Sequence, residues 1–307
     1  MDYENYMELY EAVYLFSKIN CHTGYKLPLV LNDEENKRLG INESIYSAIM
    51  KILVVNNLLS YNGDCYVLTA ENQEKQRHML DNIISKKISH YTQFYNKAVD
   101  KSRFFFDSIS DLEYEIYSRC NFEVNTNIGN EVAKHLNLAS SKVLELGGNS
   151  GGLGTALLAT NKNCSYTVVD TKIPCIVGRE LKQTNNTDIT FIEGNVFDLK
   201  LPNQIYDYII IMNLLHDFDD TKCLDILRNC TRYMESKTKF IIIEDTLTSQ
   251  FEPKEVIMHG LRLSVECRGG KQRTVDELAS LFLNIDYKPE KIIRINSIHT
   301  MTVMGQI

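Results

Sequence analysis

The sequence predicts an α/β protein, with a parallel sheet covered by helices on both faces and a mainly helical, winged-helix-like module ahead of it. Three observations predict this. From Lys142 onward, short apolar runs alternate with helical stretches. Near the N-terminus, an amphipathic helix pattern is followed by Asn62-Gly63, a strong hairpin signal. Between them, residues 64–128 contain neither Gly nor Pro and are rich in Lys, Gln, Glu, Tyr and Phe, as long helices are.

Composition sets the outer bounds. The chain has 307 residues, 44% hydrophobic and 24% charged, with 15 Gly and 5 Pro, which is globular rather than disordered. At about 150 residues per domain this length suggests about two domains. The net charge of −7 argues against nucleic acid and anionic membrane as partners. No apolar run approaches the ~18–20 residues of a spanning helix, and the longest, Tyr208 to Leu215, is broken by Asn213. The acidic start, MDYENYMELYEAVY, reads as neither a signal nor a transit peptide. Eight cysteines show no CxxC pair and no nearby histidine cluster, so the expectation is free thiols, no metal and a cytoplasmic setting.

Residues 1–72 form the first predicted unit. Tyr6 to Ile19 has a helical pattern. Asn42 or Ser44 could cap a second helix, with Ile45, Ile49, Ile52 and Leu53 on one face and an end near Asn57. Leu58 to Thr69 then reads as two short strands. Residues 73–125 follow as a helical connector, whose Phe104–Ile109 run is apolar enough to pack between domains or subunits. Residues 126–307 carry seven strand signals: 142–146, 165–169, 189–193, 208–212, 240–243, 290–296 and 299–305.

The first strand runs into Glu145-Leu-Gly147-Gly148-Asn149-Ser150-Gly151-Gly152, then into a helix over Gly154–Thr160. Such a turn lets backbone approach a nucleotide-like ligand. The second strand ends in Asp170, nineteen residues after Gly151, where a carboxylate can accept ribose hydroxyls. The spacing is not that of a dinucleotide turn, and Glu145 would repel a phosphate. An acidic turn suits a nucleoside bearing cationic groups, such as S-adenosylmethionine with its ammonium and sulfonium. A tight turn with no ligand is the plain alternative. After strand three, Asn195 could bond an adenine edge while Val196 or Phe197 packs on the ring. Strand four ends at Met212-Asn213 beside the same crevice.

Strand four leads into Leu214-Leu215-His216-Asp217-Phe218-Asp219-Asp220. A neutral imidazole there could remove the proton of a hydroxyl, which a phenol of pKa ~10 must lose before it attacks well. Strand five ends in Glu244, placed to hold one ring nitrogen and leave the other basic. Alternatively, His216 merely caps the helix over Cys223–Arg232.

The segments VLELGGNSGGLGTALL, VVD, IEGNVF, LLHDFDDTKCLDILRN, FIIIED and GGKQRT together resemble the class I S-adenosylmethionine-dependent O-methyltransferases of the caffeate, hydroxyindole and polyketide type. The ordered motifs span about Val143 to Glu277, and the N-terminal module extends the likeness. The resemblance implies a Rossmann-like seven-stranded methyltransferase sheet and a winged-helix dimerisation domain. It implies S-adenosyl-L-methionine as cofactor, with Glu145, Gly147 and Gly148 along the methionine part, Asp170 at the ribose, Asn195, Val196 and Phe197 at the adenine, and Met212 and Asn213 beside strand four. His216 would be the general base and Glu244 its first supporting acid. It also implies a homodimer acting on a small-molecule acceptor.

Several positions depart from the family pattern. Asn149 replaces a glycine, which Asn tolerates because it enters left-handed backbone readily. Asn195 stands where the family has an acid, and HDF replaces HDW. Gln272 stands where the family's second acid falls in GGKERT; it can orient an imidazole but cannot stabilise its charged form. Either one acid suffices, or the acceptor arrives ionised, or the chemistry differs, as N- or C-methylation or a non-methylating reaction. The 255–268 segment is longer than in plant members, and Met258 and Arg262 are its candidate acceptor contacts, with core packing and a solvated charge as alternatives. A cofactor-sensing DNA regulator is disfavoured, because residues 1–70 hold nine acidic and five basic residues.

Overall fold

The structure, a computed structural model, describes residues 26–27, 43–55, 59–67, 111–185, 187–267 and 269–307. The predicted helix over 6–19, the Phe104–Ile109 run, the Asn42 cap and most of the 73–125 connector lie outside the described residues. The chain clusters into two compact units, one within 1–105 and 247–274, the other within 106–246 and 275–307. Residues 247–274 were read above as part of the C-terminal domain and cluster here with the N-terminal residues.

In the first unit, β1 (Lys26–Leu27) is followed by α1 (Glu43–Val55), β2 (Ser60–Tyr61) and β3 (Tyr66–Val67). The three strands form an antiparallel sheet in the order β1-β3-β2. The hairpin turns where expected. Gly63 has φ 98°, and Asn62 Oδ1 accepts the N–H groups of Asp64 and Cys65 at 3.0 and 2.9 Å. Ile49, Ile52 and Leu53 are buried along one face of α1. Ser44 is not a cap: it lies inside the helix, and its hydroxyl donates to Gly270 O at 3.4 Å.

The second unit opens with α2 (Asp111–Ala133), β4 (Lys142–Leu146), α3 (Gly152–Thr160), β5 (Ser165–Asp170), α4 (Lys172–Asn185) and β6 (Ile189–Glu193). β7 (Tyr208–Met212), a 3-10 turn over Leu215–Asp217, α5 (Asp220–Cys230) and β8 (Lys239–Leu247) follow. α6 (Lys254–Glu266) and the short β9 (Arg273–Thr274) belong to the first unit, where α6 packs on α1. The chain ends with α7 (Val275–Leu283), β10 (Tyr287–Arg294) and β11 (His299–Gln306).

The seven expected strands form one sheet in the order β10-β11-β8-β7-β4-β5-β6. Pairings from β8 through β7, β4 and β5 to β6 are parallel, and β11 joins antiparallel to β10 and β8. Strands such as Tyr208–Met212 read as unbroken apolar runs because helices cover both faces of a parallel sheet. Ile128 and Val132 of α2, Leu153 and Leu157 of α3, and Val143, Val168, Ile210 and Ile241 of the sheet share one buried cluster. Each such side chain contributes roughly 1.5–3 kcal/mol on burial.

The chain leaves β4 toward β5 and β6, then returns to β7 on the other side of β4. That reversal makes a switch point at the carboxyl ends of β4 and β7, where open α/β sheets usually form their ligand crevice. α3 starts at Gly152, two residues before the expected start. Glycine is a poor helix former, but a Cβ at Gly152 would run into the Phe122 carbonyl of α2. Close helix packing outweighs propensity there.

Candidate active site

The glycine turn is built from backbone that few residues adopt. Gly147 has φ 64°, Asn149 50° and Gly151 82°, so Asn149 supplies the left-handed step that a glycine would. The turn is tied to the next strand end: Gly147 N donates to Val169 O at 2.8 Å, and Asn149 N donates to Asp170 Oδ2 at 2.7 Å. Asp170 Oδ1 accepts from Thr171 N at 2.7 Å. Burial raises the pKa of Asp170, and these N–H groups oppose that.

Glu145 is fully buried behind the turn. Tyr166 donates its hydroxyl to Oε2 at 3.0 Å, while Oε1 has no partner among the described groups. A Cβ at Gly148 would come within 2.5 Å of the Glu145 carboxyl carbon, so Gly148 is what lets the turn lie over this acid. Burial pushes the Glu145 carboxyl up to about 8, against the hydrogen bond from Tyr166.

Past β6, Asn195 Oδ1 accepts Phe197 N–H at 2.9 Å, and Asn229 of α5 donates to Phe197 O at 2.7 Å. The Phe197 ring is partly exposed and packs edge-on against Phe218 at 5.0 Å. Val196 lies between them in this pinned loop, its carbonyl 3.4 Å from the same Asn229 amide. Met212 is buried at the end of β7, and Asn213 turns the chain with φ 48°. The Asn213 side-chain oxygen is buried and unpartnered among the described groups, just past the end of β7, the strand that pairs with β4.

His216 sits in the 3-10 turn directly after Asn213. Its Nδ1 lies 2.8 Å from Glu244 Oε2, with the two side chains 15% and 3% exposed. Glu244 also holds the turn, because its Oε1 accepts the N–H groups of Leu214 and Leu215 at 3.2 and 2.9 Å. Burial alone would lower the His216 pKa. The Glu244 charge and contact, with Asp217 and Asp245 behind them, override that and hold it at about 9. His216 does not cap α5: Asp219 is the cap, accepting Lys222 N–H at 2.9 Å.

The structure therefore gathers Glu145, Gly147, Gly148, Asp170, Met212, Asn213, His216 and Glu244 around the strand ends of one unit. Gln272 and Met258 lie in the other unit. Gln272 is buried, with neither amide atom partnered among the described groups, and Met258 is fully buried. Arg262 occupies a helical position on α6. Sequence reasoning missed Tyr114 of α2, whose hydroxyl is 3.0 Å from Thr171 Oγ1 beside Asp170. Burial and the Asp170 charge raise its pKa well above the usual phenol value. It also missed the buried His299–Asp245 pair at 2.9 Å. Neither stands in a motif that sequence spacing marks.

The sequence matches a known family. The O-methyltransferase domain model matches residues 77–288, more than half of the chain. The chain belongs to the O-methyltransferase family. Strychnine O-methyltransferase from Strychnos nux-vomica is 30% identical over 148 residues, which is 46% of this chain and 39% of that protein. Phenazine O-methyltransferase PhzM from Lysobacter antibioticus is 30% identical over 155 residues, 49% of this chain and 44% of that protein. The matches thus span less than half the length of these O-methyltransferases. Among solved structures, an O-methyltransferase family 2 protein from Planctomyces limnophilus, in complex with apigenin, superposes with a TM-score of 0.80 at 14% identity, covering 99% of this chain and 95% of that one. Human N-acetylserotonin methyltransferase in complex with SAM gives 0.61 at 16% identity, covering 98% and 93%. These likenesses confirm the O-methyltransferase fold.

Proposed function

We propose that the chain is an S-adenosylmethionine-dependent O-methyltransferase that acts on a hydroxyl of a small aromatic or secondary-metabolite acceptor, with His216 as general base. The observation that carries this reading is the His216–Glu244 contact on a turn beside the strand-end crevice. The crevice fits the cofactor's chemistry. Asn213 Oδ1 is a buried acceptor, and the Glu145 carboxyl, which a cation beside it would ionise, offers Oε1 as another; each suits an ammonium group. Asp170 suits ribose hydroxyls, and Phe197 offers a ring face for a purine. The cofactor, once bound, supplies the electrophilic methyl carbon.

The residues do the rest. Glu244 fixes the imidazole through Nδ1 and leaves Nε2 to take the acceptor's proton. Glu244 also stabilises the resulting imidazolium. Binding both reactants in one crevice supplies orientation. The homodimer belongs to this reading through the likeness of the N-terminal module.

The test is transfer of labelled methyl from S-adenosylmethionine to a panel of phenols, carboxylates and amines. We expect label on oxygen, with His216→Ala lowering turnover by roughly 10²–10⁴ while cofactor affinity stays within about twofold. Label on nitrogen or carbon would replace the O-methyl reading, and undiminished turnover would remove His216 from the mechanism.

A further inference from the structure

Glu244 and Asp245 are adjacent on β8, so their side chains leave opposite faces of the sheet. Glu244 meets the His216 turn. Asp245 meets His299, its register partner on β11, with Oδ1 2.9 Å from Nε2 and the side chains 9% and 8% exposed. A histidine–carboxylate pair this buried, one residue from the supporting acid, has no part in the activity argued so far.

Its connections lead back to the same turn. The Asn213 side-chain amide packs against the same ring, its Nδ2 3.4 Å from His299 Nε2, a contact and not a hydrogen bond while Nε2 donates to Asp245. The other ring nitrogen, Nδ1, is 3.1 and 3.2 Å from the Asn296 amide atoms. Asn296 is itself fixed, because its Oδ1 accepts the N–H groups of Ile298 and His299 at 2.9 and 2.8 Å. The ring is thus held on both sides. Asn213 has left-handed backbone, donates its N–H to Ile243 O at 3.0 Å, and immediately precedes Leu214 and Leu215. Asn213 is thus packed by the His299 ring on one side, and the next two residues are bonded to Glu244 on the other.

We propose that Asp245 and His299 are a positioning pair, which fixes Asn213 and through it the turn that presents the His216 ring to Glu244. The proposal rests on the reading of His216 as the base. Among the described residues, His299 on β11 meets Asp245 directly, and Arg294 on β10 and His216 on the turn feel its charge, while Glu244 leaves the opposite face of the strand. Arg294 is tied to Thr246 and Thr300 beside the pair, with Nη1 at 3.1 and 2.9 Å from their hydroxyls. Asp245 also adds to the negative field that keeps a proton on His216.

The experiment is a titration of the His216 ring by nitrogen NMR in the full, cofactor-free chain with labelled histidine, the signal being assigned by its loss in His216→Gln. In the wild type the neutral ring should be a single tautomer with its proton on Nδ1, toward Glu244. Asp245→Asn, which keeps shape and removes charge, should lower the His216 midpoint by about half a pH unit or more. His299→Phe should mix the two tautomers, and His299→Gln, which restores a polar group toward Asp245, should recover the single one. A merely structural role would change melting temperature without moving these signals. Wild-type midpoint and tautomer in both Asp245→Asn and His299→Phe would overturn the proposal. Methyl transfer retained by His216→Ala would instead sink the base reading and leave this wiring intact, so the two failures are distinguishable.

Discussion

Two groups at these strand ends hold their protons more firmly than exposed side chains do, the Glu145 carboxyl and the His216 ring. Their causes differ. Glu145 is raised to about 8 because burial penalises its charge, whereas His216 is raised to about 9 by carboxylates that outweigh its burial. For Glu145 the unfolded value is ~4.3, so over roughly pH 4 to 8 the native chain keeps a proton that the unfolded chain has released. Stability from this group therefore falls as pH rises through that window. Thermal unfolding of the cofactor-free chain should show Glu145→Gln gaining on the wild type between about pH 5 and about pH 8. Equal pH slopes for the two chains would contradict the assignment. His216 must lose its proton to act, so turnover should rise with pH toward a midpoint at or below about 9, because a sulfonium cation nearby lowers it. A pH–rate profile with no rising limb would count against the base.

Secondary structure was legible where one signal dominated. Apolar runs flanked by turn residues gave the strands, and Asn62-Gly63 gave the hairpin. Helix starts were less legible, because packing can override propensity. Gly152 begins α3 since the helix crosses α2 at backbone contact distance, and no property of the local sequence reports that crossing. Gly152→Ala should accordingly cost about 1–3 kcal/mol despite alanine's better helix propensity, measured by denaturant unfolding. A stabilised variant would show that α2 yields at that point. The His216–Glu244 contact was readable because both residues stand in recognisable motifs, although β8 does not end at Glu244 as the sequence suggested but runs on to Leu247. The His299–Asp245 pair was not, because it depends on the antiparallel register of β11 on β8, which short-range spacing does not encode.

For the molecule as a whole, the charge of −7 disfavoured nucleic acid, and the motif order carried the family. Among the described residues no helix is long and apolar enough to cross a membrane. The division into units was harder to read: residues 247–274 follow the sheet in sequence yet cluster with the N-terminal residues, since α6 packs on α1. The dimer reading predicts a sedimenting mass twice the 35.3 kDa of the chain, and a monomer at micromolar concentration would contradict it. The account depends above all on the strand ends of β4, β5 and β7 forming a seat for a cationic nucleoside. Calorimetric titration of the full chain with S-adenosylhomocysteine tests this most directly. One molecule should bind per chain, and Asp170→Ala should weaken binding about tenfold or more through lost hydrogen bonds to a charged acceptor. No heat of binding from folded wild-type protein, or an unchanged affinity in Asp170→Ala, would contradict it.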